Sequence, residues 1–164
     1  GLAKFAGVGR RFSDLGDIGW SGGCARLIDD YGHHPTEVAV TLKATREAFP
    51  GRRVVMVYQP HRFTRTRDHF DDFVAVLGDS PMLVLLDVYA AGEAPIAGAN
   101  SHALAAAIRE RGGVEPAVVS DPQKLAEVLM DLLQDQDVLL MQGAGDIGRL
   151  SATLADAGSI EVWH

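Results

Sequence analysis

Apolar residues in this chain fall alternately into short runs and helically spaced stripes, five times over. Residues 53–58 and 82–89 are β-branched or apolar almost throughout, as expected of strands covered on both faces. Residues 25–31, 117–120 and 138–141 are further short runs bounded by polar or turn-forming residues. Between them Val38, Leu42 and Phe49 recur at near-helical spacing, from Pro35 in a first turn to a stop at Gly51. Within residues 66–77, Phe70, Phe73, Val74 and Leu77 fall at i, i+3, i+4 and i+7, the stripe of an amphipathic helix. Leu104 and Ile108 mark a third helix ending at Gly112. Leu125, Val128, Leu129 and Leu132 mark a fourth, led by Asp121 as cap and Pro122 in its first turn. Ile147, Leu150 and Leu154 mark the last, and residues 160–163 read as a short final strand.

This rhythm predicts an α/β fold. The expected form is a Rossmann-like, doubly wound, mostly parallel sheet of about five to six strands, with helices on both faces and right-handed crossovers. Residues 1–23 break the rhythm. They are glycine-rich, with Arg10-Arg11-Phe12 leading a hairpin arm, and read as the end of a preceding domain plus a linker. Residues 24–164 would then form the domain proper.

At 164 residues the chain is long enough to bury a core in one such domain. Its net charge of −7 argues against a surface that wraps nucleic acid or an anionic membrane, while leaving room for local arginine clusters that hold an anion. The single cysteine, Cys24, excludes an internal disulfide and fits a reducing compartment. No apolar run approaches the roughly 20 residues that span a bilayer, and no secretory leader is legible. A cytoplasmic source is expected. A first residue of glycine rather than methionine is expected of a fragment.

Chemistry concentrates at two strand exits. Asp29-Asp30-Tyr31-Gly32-His33-His34-Pro35-Thr36-Glu37 follows the first run, and Gln59-Pro60-His61-Arg62-Phe63-Thr64-Arg65-Thr66-Arg67 the next. In an open parallel sheet successive exits share one edge, where ligands bind. Imidazoles and guanidiniums gathered there fit a small anionic or zwitterionic ligand. Lone loop histidines and arginines are more often caps or solvated charges. Arg67 is assigned to the solvated helix face, and Asp30 could simply cap the helix at Pro35.

Gly143-Ala144-Gly145-Asp146-Ile147-Gly148 spells Gly-x-Gly-x-x-Gly after a strand, the dinucleotide fingerprint. Here it belongs to the last strand–helix unit rather than the first, and no acidic strand end follows. A tight turn with close packing is the better reading, and an NAD-binding module remains an alternative of another class.

With these segments in view, the chain resembles the C-terminal domain of the Mur ligases, the ATP-dependent enzymes that build the peptide stem of bacterial peptidoglycan. The match runs in order through Phe5-Ala6-Gly7-Val8-Gly9-Arg10-Arg11-Phe12, the two strand-exit clusters, Leu86-Asp87-Val88-Tyr89-Ala90-Ala91-Gly92-Glu93-Ala94-Pro95-Ile96 and Gly143-Ala144-Gly145-Asp146-Ile147. Within the family, the His61-Arg62-x-x-Arg65 cluster fits the branch that adds a single L-alanine to UDP-N-acetylmuramate. The alternative is the related branch that attaches recycled murein peptide to the same sugar.

The resemblance implies ATP as co-substrate with Mg²⁺, an acyl-phosphate intermediate, and amide formation during cytoplasmic peptidoglycan precursor synthesis. It places Arg11 and Asp30 at ATP, and Tyr31, His33, His61, Arg62 and Arg65 around alanine. His33 or His61 would accept the amine proton, the residues alone not deciding between them. The family's phosphate loop, metal ligands and UDP-sugar site would lie upstream, so no metal site is expected in this fragment. It should be inactive alone and bind no cofactor tightly. The loop after Tyr89 is expected to face the same edge.

Overall fold

The computed structural model describes residues 11–160. Its strands are β1 (Ser13–Trp20), β2 (Gly23–Asp30), β3 (Val54–Tyr58), β4 (Met82–Leu86), β5 (Ala117–Val119) and β6 (Val138–Gln142). The helices are α1 (Pro35–Ala48), α2 (Phe63–Asp68), α3 (Phe70–Leu77), α4 (Ser101–Glu110), α5 (Leu125–Leu132) and α6 (Ile147–Ala157). One six-stranded sheet has the order β1-β2-β6-β3-β4-β5, parallel throughout except for β1 against β2.

The strand pleat sends alternate residues to opposite faces. Ile28, Met56, Tyr58, Leu83, Leu85 and Leu140 pack against α1, α3 and α4 through Val38, Leu42, Phe73, Leu77, Leu104 and Ile108. Leu27, Val55, Val57, Val84, Leu139 and Met141 pack on the other face against α5 and α6 through Leu125, Leu129, Ile147 and Leu154. The expected doubly wound sheet is therefore present, as two apolar cores back to back. Arg53 and the buried Asp137 clip its N-terminal edge with a 2.6 Å contact.

Two segments differ from the sequence reading. Residues 13–20, assigned above to a preceding domain and linker, form an edge strand of the same sheet, so the sheet shows no break at residue 24. Their period-two pattern was hidden by a bulge: the register slips between Asp14 and Asp17, where Gly16 has φ +91°. The helix expected over residues 66–77 begins earlier, at Phe63, and breaks at His69, whose φ of −118° and ψ of 26° separate α2 from α3. The break lets α3 lay Phe73, Val74 and Leu77 on the sheet. Residues 5–10 of the resemblance and most of the proposed final strand lie outside the described residues. Ser159 makes an isolated bridge to Gly19. Among the described residues, no helix is long and apolar enough to cross a membrane.

Leu140 lies between Ile28 and Met56 on the neighbouring strands and is fully buried. Leu140→Ala is expected to cost about 2–5 kcal/mol, part transfer and part cavity. A denaturant titration reads this; a loss below about 1 kcal/mol would mean the centre of the sheet is not close-packed.

Candidate functional site

The chain reverses its winding around β6. β2 and β3, on either side of it, lead into helices on one face, whereas α6 leaves β6 on the other. This is the switch point at which open α/β sheets bind ligands. In register, Gln142 at the end of β6 sits opposite Asp30 on one side and Tyr58 on the other.

Side-chain amides tie these exits together. Gln142 is fully buried and its Nε2 donates to Asp30 Oδ1 at 3.0 Å. Gln59 donates from Nε2 to Asp146 Oδ1 at 2.6 Å and accepts on Oε1 from the Ile147 N–H at 3.1 Å. The glycine-rich turn is thereby fastened to β3. Gly143 has φ +152°, which disfavours any side chain, and a Cβ on Gly145 would stand 2.5 Å from Gln59 Oε1 and 2.7 Å from Tyr89. The glycines serve close packing, and the Ile147 N–H at the start of α6 is taken by Gln59.

Asp30 is 6% exposed and accepts three hydrogen bonds, from Gly32 N, Gln142 Nε2 and Phe12 N. These use about three of the roughly four acceptor positions of a carboxylate. It does not cap α1. That cap is His34, whose Nδ1 accepts from Thr36 N, while Glu37 reaches back to the N–H groups of His33 and His34. Burial works to raise the Glu37 carboxyl, but those N–H groups outweigh it and hold it below the usual value. Arg11, Phe12, Asp30, Thr36, Val40 and Thr41 line a pocket of about 310 Å³ beside α1. The two residues the resemblance places at ATP thus share one cavity.

The other cluster is a chain of rings. Tyr31 meets His33 edge-on at 5.3 Å, the His33 and His61 centroids are 5.8 Å apart, and His61 stacks on Tyr89 at 5.5 Å. Arg65 Nη1 lies 3.0 Å from His61 Nδ1 and donates to the His61 carbonyl at 2.9 Å. Burial lowers the His61 pKa below its ordinary 6.5, and the neighbouring Arg65, His33 and Arg62 add in the same direction. These surroundings favour the neutral ring.

Arg62 stands at the start of α2 with φ +76°, a costly value for a side-chain-bearing residue. Hydrogen bonds enforce it: its N–H donates to the Tyr89 carbonyl at 2.8 Å, and its own carbonyl accepts from Thr66 Oγ1 at 2.9 Å. Its guanidinium lies 3.7 Å from Glu93. Glu93 also accepts from the Thr64 hydroxyl at 2.5 Å and the Thr64 N–H at 3.0 Å. That hydroxyl, then the N–H, hold the Glu93 carboxyl below the usual range.

The structure thus brings together Tyr31, His33, His61 and Arg65. It places Arg62 beside them but already facing a carboxylate, and it puts Arg11 and Asp30 in the neighbouring pocket. Arg67 faces solvent against Asp68. The loop after Tyr89 reaches the site as expected, since Tyr89 N donates to the Pro60 carbonyl at 2.8 Å. Sequence reasoning gave no role to Gln59, Gln142 or Glu93. Gln59 heads the second cluster, and Glu93 lies in a matched segment, which were the available signals.

Comparison with known proteins gives the family and the fold. Residues 10–145 match the family described as Mur ligase, glutamate ligase domain. The chain belongs to that family and is a Mur ligase C-terminal domain. Among solved structures it is similar to the UDP-N-acetylmuramate–alanine ligase of Thermotoga maritima, at 25% identity and a TM-score of 0.67 over 90% of this chain and 29% of that one. It shares its fold with a murein peptide ligase of Psychrobacter arcticus, at 19% identity and a TM-score of 0.66 over 94% and 31%. It shares it also with a folylpolyglutamate synthase of Thermotoga maritima, at 13% and 0.59 over 90% and 31%. The chain spans about a third of the length of these three enzymes.

The backbone at Arg62 is open to a direct check. Arg62→Gly is expected to be more stable than Arg62→Ala by about 1 kcal/mol, because glycine adopts a positive φ without penalty. Paired thermal unfolding curves decide it. Equal stabilities would show that the turn carries no strain.

Proposed function

We propose that this chain is the amino-acid-binding domain of a ligase that joins L-alanine to UDP-N-acetylmuramate through an acyl phosphate made with ATP. The observation that carries the reading is the convergence of His33, His61 and Arg65 where β2 and β3 end. A guanidinium offers a planar fork to an α-carboxylate. A neutral imidazole accepts a proton from the attacking amine at physiological pH. Arg65 serves the carboxylate better than Arg62, whose charge already faces Glu93.

The 310 Å³ pocket suits part of a nucleotide. Phe12, Val40 and Thr41 supply apolar surface for a base, Arg11 a cation for phosphate, and Asp30 one remaining acceptor for a ribose hydroxyl. Among the described residues no three His, Cys, Asp or Glu side chains gather as a cation site. Mg²⁺ is assigned with the UDP-sugar and the phosphate loop to upstream domains, where it would neutralise charge on the transferred phosphoryl group. Cytoplasmic peptidoglycan precursor synthesis is the setting this reaction fits.

A second reading, attachment of recycled murein peptide, is supported by the nearly equal TM-score to the peptide ligase, 0.66 against 0.67. It also draws on the half-open rim formed by Tyr31 at 37% and Tyr89 at 39% exposure. The His61-Arg62-x-x-Arg65 cluster favours the single amino acid.

The full-length protein is expected to join alanine, not tripeptide, to UDP-N-acetylmuramate when both acceptors compete, as read by product mass. Arg65→Ala should raise KM for alanine roughly 10- to 100-fold, the equivalent of about 1.5–3 kcal/mol for a charged hydrogen bond, with KM for the UDP-sugar little changed. A tripeptide product would transfer the chain to the peptide-attaching branch. Equal KM effects on both substrates would remove Arg65 from the alanine site.

A further inference from the structure

In a neutral imidazole one ring nitrogen donates and the other accepts, and the fixed partner of one nitrogen decides which. The two facing imidazoles of this site have fixed partners of opposite kind. His61 Nδ1 lies 3.0 Å from Arg65 Nη1. A guanidinium can only donate, so Nδ1 must accept and the proton of the neutral ring sits on Nε2. His33 Nδ1 lies 3.2 Å from the Tyr31 carbonyl oxygen and 3.9 Å from Glu37 Oε1. A carbonyl and an ionised carboxylate only accept, so in neutral His33 the proton sits on Nδ1 and Nε2 keeps a lone pair.

We propose that His33 and His61 are held in opposite tautomers, giving one bound molecule a donor from His61 Nε2 and an acceptor from His33 Nε2. Arg65 is the positioning residue that sets the first, and the Tyr31 carbonyl with Glu37 sets the second. The ring centroids are 5.8 Å apart, close enough for one small molecule to meet both rings. The pair is not interchangeable: an acceptor is offered by one ring only.

Combined with the alanine-binding reading, on which this step alone rests, the assignment chooses between the two histidines. The ammonium N–H bond breaks and an N–H bond forms at His33 Nε2, leaving a neutral amine with its lone pair and an imidazolium. The positive charge so created lies near Glu37, whose Oε1 is 3.9 Å from His33 Nδ1. His61 keeps its proton and donates to an oxygen. The lowered His61 pKa agrees with a ring that stays neutral throughout.

The test is a long-range ¹H–¹⁵N correlation spectrum of the histidine rings at a pH where both are neutral, recorded on this chain without substrate. The expected pattern is Nε2–H for His61 and Nδ1–H for His33. In Arg65→Met, His61 should relax toward a mixture of tautomers while His33 is unchanged. The same tautomer in both wild-type rings would overturn the proposal, and this result needs no variant to fold. An unaltered His61 pattern in folded Arg65→Met would overturn the role of Arg65. Since no substrate is present, the outcome is independent of which acceptor the full-length protein uses.

Discussion

The site depends on the side-chain amides that stitch the C-terminal ends of β2, β6 and β3. An amide is suited to this task because it carries a donor and an acceptor on one rigid plane. Gln59 uses both, gripping Asp146 with its nitrogen and the Ile147 N–H with its oxygen. Gln142 uses its nitrogen to hold Asp30, and its Oε1 is buried without a hydrogen-bond partner among the described residues. An unmet buried acceptor costs about 1–3 kcal/mol. Rotating the amide would not relieve it, since the oxygen would then face the Asp30 carboxylate. The orientation of Gln142 is therefore imposed by Asp30, and Asp30 in turn fixes Gly32 and Phe12.

From this stitching the rest of the edge follows. The fastened glycine turn presses on Tyr89, Tyr89 stacks on His61, and backbone hydrogen bonds between Pro60, Tyr89 and Arg62 hold the β3 and β4 exits together. The same bonds force the positive φ of Arg62, so local strain is stored where α2 begins. The two apolar cores below contribute stability but no chemistry. They make the strand ends rigid enough for four loops to meet within hydrogen-bonding distance.

Much of the fold was legible because hydrophobic spacing reports burial directly. Residues 53–58 and 138–141 read as strands for that reason, and Phe73, Val74 and Leu77 read as a helix face. β1 was legible only as a hairpin arm and not as a strand of this sheet: the bulge at Gly16 interrupts alternation, and its place is visible only through antiparallel pairing with β2. The break at His69 was hidden too, since a stripe of apolar residues says nothing of where a helix axis bends. For the site, the clustering of histidines and arginines at strand exits located the edge. Their specific pairings were not legible. That Arg62 faces Glu93 and that Asp30 is nearly consumed by internal hydrogen bonds depend on contacts between distant segments, whereas the Arg65–His61 pairing is local and was hidden because the helix was expected only from residue 66.

The most direct measurement is a nuclear Overhauser spectrum of this chain with the ring protons of His33, His61 and Tyr89 assigned. Convergence of the β2, β3 and β4 exits predicts cross-peaks from His61 to both His33 and Tyr89. Assigned rings with no cross-peak between His33 and His61 would show that the two loops do not meet, and the account of a shared site would fail.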